Sequence, residues 1–276
     1  LDDLRIPCAM VELVQKLTDP DPARRPDIDA VRARLENGGG QRLVYGAAAC
    51  QGTRPRQEDV LLANGTLTAR PDYTLADTAP CPAAFAGIGG GYGGAEVAHA
   101  AAEALDRAAA PYLHMELADY TQPLAAIFAD AERETKQFMA ENGYTRSGAS
   151  AALVIAASRV VCTANLGDSR VYRYTRGALT QLTRDHRFAL GGRHELYQYL
   201  GASDEDTEIS STIGKIDRVA GERLLLCTDG VSGKLTDEEL AALLTAHPDA
   251  GEAATAILDA VRETATDNAT VLVVNL

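Results

Sequence analysis

The chain has 276 residues, 46% of them hydrophobic, and a formal charge of −13 at neutral pH. That length makes one large domain, or one domain with a small appendage. The charge argues against nucleic acid and anionic membrane surfaces as partners, since both require a basic face, and leaves open acidic clusters that bind cations.

Five cysteines (Cys8, Cys50, Cys81, Cys162 and Cys227) are scattered with no CxxC pair. They read as buried, reduced thiols rather than a disulfide framework, which places the protein in the cytoplasm. No stretch reads as a signal peptide, and no apolar run approaches the ~18 residues that a membrane span needs.

In chain order, Val11, Leu13, Val14 and Leu17 form one apolar helical face, ended by "DPDP". A second helix is expected from Pro26, with Ile28, Val31 and Leu35 on one side. The flexible stretch "ENGGGQ" then sets a boundary: residues 1–37 a helical segment, 38–41 a linker, 42–276 the main domain. Beyond it "RLVYGAAAC", "EDVLLA" and "PAAFAGI" read as strands. Helices are expected from Ala95 to Tyr112 and from Gln122 to Asn142, the second stopped by Gly143. Strands "SAALVIAA", "RVVCTANL" and "RVYRYT" follow, with "GALTQL" closing a hairpin. A charged loop spans Arg184 to His194, and "ELYQYLG" reads as a short helix. Two further strands, "EISSTIGKI" and "ERLLLCTDG", precede helices over Asp237–Ala246 and Gly251–Thr264, and "ATVLVVNL" is the last strand. Hairpin spacing and segregated helix pairs indicate an α+β fold with antiparallel sheets.

Two features carry chemistry. The first is a set of carboxylates at strand ends: Glu58 and Asp59 before "VLLA", Asp168 in "LGDSR", Asp229 after "LLLCT" and Asp267 before the last strand. Such residues can converge on one rim of a sheet and offer the oxygen ligands that Mg²⁺ or Mn²⁺ prefer. The bland alternative is ordinary turn chemistry, because Asp-Gly and Asp-Asn are common turn pairs. The second feature is the glycine-rich "FAGIGGGYGGAE". Gly89, Gly91 and Gly94 satisfy GxGxxG, but the parallel strand that a dinucleotide site requires after the helix is missing.

The order of the blocks narrows the choice. "QGTRPRQED", the glycine-rich turn, "SGASAALVI", "TANLGDSRVYRY", "LTRDH", "LLLCTDGVSGKLTDEEL" and "DNATVLVV" occur in this sequence at plausible spacings. Over residues 42–276 the chain resembles the metal-dependent Ser/Thr protein phosphatases of type 2C, in their bacterial form. The resemblance implies an αββα sandwich of two antiparallel sheets with flanking helix pairs. It implies two Mn²⁺ or Mg²⁺ ions at one end and hydrolysis of phosphoserine or phosphothreonine in proteins. It implies that Arg54 binds the substrate phosphate, that Glu58, Asp59, Asp229 and Asp267 serve the metals, and that Asp168 joins Asp229 at a third, weaker metal. Asp185 and His186 fall in a structural block.

One ligand of that pattern is missing. "AGIGG" stands where bacterial members carry Asp-Gly-Ile-Gly-Gly, so Ala86 occupies the place of the aspartate that bridges both metals and Gly87 supplies a carbonyl ligand. An animal-type alignment puts Gly89 there instead. Either way an impaired enzyme is expected, by an engineered Asp→Ala change or as a natural pseudophosphatase that binds phosphoproteins or regulates a kinase. The segment between "LTRDH" and "YLG" is also shorter than the family's usual flap. Finally, "MVELVQKLTDPDPARRPDIDAVRARL" resembles the end of a protein kinase domain, with Arg25 at a kinase arginine position, so a fused or partner kinase is expected as substrate or neighbour.

Overall fold

The computed structural model describes residues 14, 16–29, 31, 42–90, 94–145, 147–190, 193–202 and 209–276. Two six-stranded antiparallel sheets dominate it. The first has the order β4-β1-β14-β13-β8-β9, the second β12-β7-β6-β5-β2-β3. In the first lie β1 (Arg42–Cys50), β4 (Asp72–Pro80), β8 (Arg170–Thr175), β9 (Ala178–Gln181), β13 (Arg223–Cys227) and β14 (Ala269–Asn275). In the second lie β2 (Val60–Ala63), β3 (Thr66–Thr68), β5 (Ala83–Gly90), β6 (Ala149–Ala156), β7 (Val160–Leu166) and β12 (Thr212–Asp217). A separate hairpin pairs β10 (Arg187–Leu190) with β11 (Arg193–Leu196).

Strand alternation sorts the apolar residues into three layers. Phe85, Leu61, Val154, Val171 and Leu272 fill the space between the sheets. Ala84, Ala86, Ile88, Leu153 and Ile155 face the other way, against helices α1 (Ala95–Ala109) and α2 (Thr121–Asn142). Leu225, Val271 and Val273 face outward from the first sheet, against α4 (Asp237–Ala246) and α5 (Ala250–Arg262). The short α3 (Asp229–Ser232) follows β13 directly. The result is the αββα sandwich expected from the pattern. Helix ends follow their local chemistry. Gly143 stops α2 in the left-handed region at φ 75°, and Thr236 and Glu239 form a reciprocal capping box on α4.

Several local expectations are corrected. "ELYQYLG" is not a helix: Glu195 and Leu196 belong to β11, and Leu200 bridges to Ala149. Tyr197 holds this path by packing on His186, with ring centroids 5.6 Å apart, so tertiary contacts override a helical pattern. The charged loop from Arg184 contains the β10–β11 hairpin. Strands β3 and β4 were not expected. β3 has only three residues, and β4 is a half-exposed edge strand of Asp, Thr and Ala whose polar residues hide the period. At the N-terminus, residues 14, 16–17, 28–29 and 31 are helical around a 3₁₀ turn at Pro22–Arg24. Val14, Leu17 and Ile28 there are exposed. Val11, Leu13, Leu35 and the expected linker lie outside the described residues.

Candidate active site at one rim of the sandwich

The register brings the expected residues to one end. Cys227 pairs with Arg170 and with Val271, and Cys50 pairs with Ala269. Asp229, Asp168, Asp267 and Arg54 lie just beyond those pairs, so all four sit at one end of the first sheet. Val60 pairs with Ile88, so Asp59 and Gly90 lie at the same end of the second sheet. Two close approaches make the rim compact. A side chain at Gly230 would collide with the Asn268 carbonyl, and one at Gly52 with the Asp267 carbonyl.

Asn268 organises the Arg54 loop. Its Nδ2 donates to the carbonyls of Gln51 (2.8 Å) and Arg56 (3.1 Å), and its Oδ1 accepts from the Glu58 amide at 2.8 Å. Arg54 Nη2 donates to Asp267 Oδ2 at 2.6 Å. Glu58 faces Arg56 at 3.5 Å. Asp59 is buried between the sheets and engaged by protein donors: Thr228 Oγ1 at 2.8 Å and Thr270 Oγ1 at 2.9 Å, both on Oδ2. Burial pushes its carboxyl up to about 7, the two hydroxyls oppose that shift, and the charges of Asp229 and Asp267 add to it.

The carboxyl of Asp229 is likewise raised, by desolvation from the surrounding protein and by the charges of Asp168 and Asp267. Because Asp229 reaches solvent, the charge repulsion is the firmer of these causes. Asp168 is raised by burial, against the pull of Arg187, whose Nη1 lies 3.8 Å from Asp168 Oδ2. Arg170 grips Asp185 through two hydrogen bonds of 2.9 and 2.7 Å. His186 accepts from the Gly167 amide at Nδ1 (3.2 Å) and lies 2.8 Å from Thr212 Oγ1 through Nε2, a structural role.

The glycine-rich stretch is strand rather than turn as far as Gly90. Ala86 faces the helix-side core with Leu62, Ile88 and Ala98, away from the rim. Gly87 pairs with Leu61 and Ala152, both of which face the space between the sheets, so a side chain at Gly87 would point there too. A Cβ built on Gly87 meets nothing within 4 Å. One built on Gly89 would lie 2.7 Å from Ser150 Oγ.

These residues do not fit a resident metal pair. Among the described residues, no three His, Cys, Asp or Glu side chains lie together as a metal-ligating group. Asp267 and Asp168 face arginines, Asp59 is held by threonines, and Gly87 brings no carboxylate.

The family model for protein phosphatase 2C matches residues 43–190. The chain belongs to the protein phosphatase 2C family. It is 30% identical over 159 residues to protein phosphatase 2C homolog 2 of Hypocrea jecorina, covering 57% of this chain and 35% of that protein. It is 31% identical over 125 residues to the serine/threonine phosphatase PstP of Mycobacterium tuberculosis, covering 41% and 24%. The chain therefore spans about a third or less of these curated relatives. Among solved structures, M. tuberculosis PstP superposes with a TM-score of 0.69 at 22% identity, covering 86% of this chain and 99% of that one. PppA of Pseudomonas aeruginosa gives 0.68 at 21%, covering 84% and 97%. A PstP catalytic domain solved with two manganese ions gives 0.67 at 22%, covering 85% and 99%. At these identities the structures show the fold. For this protein phosphatase 2C domain, sequence reasoning missed Thr228, Thr270, Asn268 and Arg187. The first three sit inside the quoted blocks "LLLCTDG" and "DNATVLVV", where only the aspartates drew notice.

Proposed function

We propose that this domain acts on phosphoserine and phosphothreonine in proteins, as a metal-dependent phosphatase whose hydrolysis is impaired by one missing carboxylate. The reading rests on family membership together with an acidic rim beside Arg54. Arg54 is half-exposed, and among the described residues only its Nη2 is hydrogen-bonded, to Asp267. Its remaining donors are therefore available to a phosphate as a planar fork. Mn²⁺ or Mg²⁺, when bound, would supply an activated water in such a site. With the residues present, the Asp229 and Asp267 carboxylates would hold at most one such ion weakly.

The missing carboxylate is assigned to Gly87 rather than Ala86. Gly87 has the correct face and free space, Gly89 lacks the space, and Ala86 has the wrong face. An aspartate at 86 would bury a charge among Leu62, Ile88 and Ala98, which is strongly unfavourable. This removes the reasoning for an engineered Asp→Ala change at 86. The expected outcome is that Gly87→Asp gains Mn²⁺-dependent hydrolysis of p-nitrophenyl phosphate, while Ala86→Asp is destabilised and gains none. Activity in Ala86→Asp and none in Gly87→Asp overturns the assignment.

A second reading has its own support. Arg54 and Arg187 partly neutralise Asp267, Asp168 and Asp229 without any metal. A domain so balanced could bind a phosphoprotein, or regulate a fused or partner kinase, without turnover. Capture of a phosphothreonine peptide by the chain with no phosphate release, even with saturating Mn²⁺, would favour this reading. A cytoplasmic setting is consistent with the buried Cys50, Cys81, Cys162 and Cys227, none of which forms a disulfide among the described residues. Among the described residues no helix is long and apolar enough to cross a membrane.

A further inference from the structure

Two residues beyond Arg54 the same loop carries a second half-exposed arginine, Arg56. Its Nη1 donates to Glu96 Oε1, in the first turn of α1, at 2.9 Å. Its Nε lies 3.5 Å from Glu58 Oε1. The two carboxylates differ in their surroundings. Glu96 is half-exposed, so water can stand in for Arg56 there. Glu58 is only 19% exposed, and Arg56 is the one basic group within 4 Å of its carboxylate among the described residues. The stem of Glu58 is fixed as well. A side chain at Gly90 would collide with Glu58 Cβ, and the Glu58 amide donates to Asn268 Oδ1. What remains to be set is the direction of the carboxylate.

That direction matters to Arg54. Its hydrogen bond to Asp267 raises the Arg54 pKa most, against desolvation, and the charges of Asp267, Glu58 and Asp229 add to the rise. Glu58 thus acts on Arg54 even while it is paired with Arg56. A carboxylate and a phosphate present the same kind of acceptor to a guanidinium fork, so the two compete for it. Without Arg56, the other arginine of the loop open to Glu58 is Arg54, and the unused donors there are the ones a phosphate requires.

We propose that Arg56 is a positioning residue for phosphate recognition: it draws the Glu58 carboxylate to itself and so keeps the free donors of Arg54 open to the phosphate of a phosphoserine or phosphothreonine substrate. The inference rests on reading Arg54 as the phosphate-binding residue. Arg56 acts through Glu58 and needs no contact with the phosphate. Its bond to Glu96 anchors the guanidinium from the α1 side. Its Nη2 packs on Gly94, where an added Cβ would lie 2.6 Å away.

The test is a double-mutant cycle on the whole chain in EDTA, read as binding of a labelled phosphothreonine peptide by fluorescence anisotropy and its competition by inorganic phosphate. Arg56→Gln should bind the peptide about ten-fold more weakly than wild type, the scale of coupling between neighbouring charged groups. Glu58→Gln should bind at least as well as wild type, because a competing carboxylate is gone. Arg56→Gln made in the Glu58→Gln background should then cost less than about two-fold, since Arg56 has nothing left to restrain. Glu96→Gln should leave binding near wild type. Equal losses from Arg56→Gln with and without Glu58 overturn the proposal, and mean that Arg56 acts on the phosphate directly or through its charge alone. A loss in Glu96→Gln as large as in Arg56→Gln also overturns it, and moves the role to the start of α1. Peptide binding by wild type no tighter than by Arg54→Ala overturns the reading of Arg54 and this inference with it. The Gly87→Asp experiment reads hydrolysis and stands apart from all of these outcomes.

Discussion

The two ends of the first sheet treat charge in opposite ways. At the end away from the rim, the buried charged residues Arg223 and Glu222 are both matched. Arg223, buried at the start of β13, donates through Nε to Asn275 Oδ1 (2.9 Å) and through Nη1 to the carbonyls of Leu244 (2.7 Å) and His247 (2.9 Å). It thereby satisfies carbonyls at the end of α4 that the helix itself leaves without partners. Beside it Glu222 receives both arms of Arg173 and the Thr175 hydroxyl. Burial alone would raise Glu222, yet those donors bring it below its usual value. At the rim, acidic groups outnumber their partners, and Asp59, Asp168 and Asp229 are all raised. Matched charge marks an end built for stability. Charge left in excess marks an end built to receive something else.

That contrast is broken most directly at Arg223. Arg223→Ala should cost about 3 kcal/mol of stability, because it strands buried carbonyls and the Asn275 amide oxygen together. Urea unfolding of wild type and variant measures this, and a loss below about 1 kcal/mol would mean that water repairs the helix end. Arg223→Lys should recover only part of the loss, since an ammonium cannot span Asn275 and both carbonyls at once.

His186 lies between these extremes, a matched group placed next to the rim. Burial lowers its pKa and Arg184 adds to the effect, while Asp185 opposes it. Its Nδ1 accepts from the Gly167 amide, so the neutral ring is the form that fits. The unfolded chain then takes up a proton more readily than the folded one. Stability is full above the usual histidine value of 6.5 and declines as the pH falls through the lower folded value. His186→Gln should lose about 1 kcal/mol at pH 8, from the altered hydrogen bonds, and should flatten the decline between pH 7 and 5. Urea midpoints across that range decide the matter: an equal slope in both proteins removes His186 as the source.

Much of this was legible beforehand, and the exceptions have physical reasons. Long, strongly periodic elements such as β1, β6, β7 and α2 announce themselves, because one period dominates each. The convergence of Arg54, Asp229 and Asp267 was legible from ordered blocks rather than from any single residue. The face of a residue inside "AGIGG" was not legible. Side chains alternate along a strand, so an offset of one residue moves a position from the rim to the helix-side core. In a run of glycine, alanine and isoleucine nothing in composition marks that offset, and only pairing with Leu61 and Ala152 sets it. Arg187 was hidden for a different reason. It was read as part of a charged loop, and its partner Asp168 is distant in sequence, so the pairing exists only once the hairpin folds back.

The smallest expected effect is on stability at the rim itself, and it is the sharpest test of the comparison. Arg54 and Asp267 make a close ion pair, at 2.6 Å, which by distance alone resembles those of the far end. Both side chains are more than a third exposed, however, at 48% and 37%, so water and salt screen most of the attraction. Arg54→Ala should therefore change unfolding stability by less than about 0.5 kcal/mol. Phosphate affinity is the property it should lose, read as weaker competition by inorganic phosphate for a labelled phosphothreonine peptide. Asp267→Asn should be equally mild for folding, since the Asn268 amide that donates to Asp267 Oδ1 at 2.8 Å keeps an acceptor. A loss of 2 kcal/mol or more from Arg54→Ala, close to that expected at Arg223, would show that the rim is stapled shut by this pair. The division between a structural end and a receptive end would then fail where it matters most.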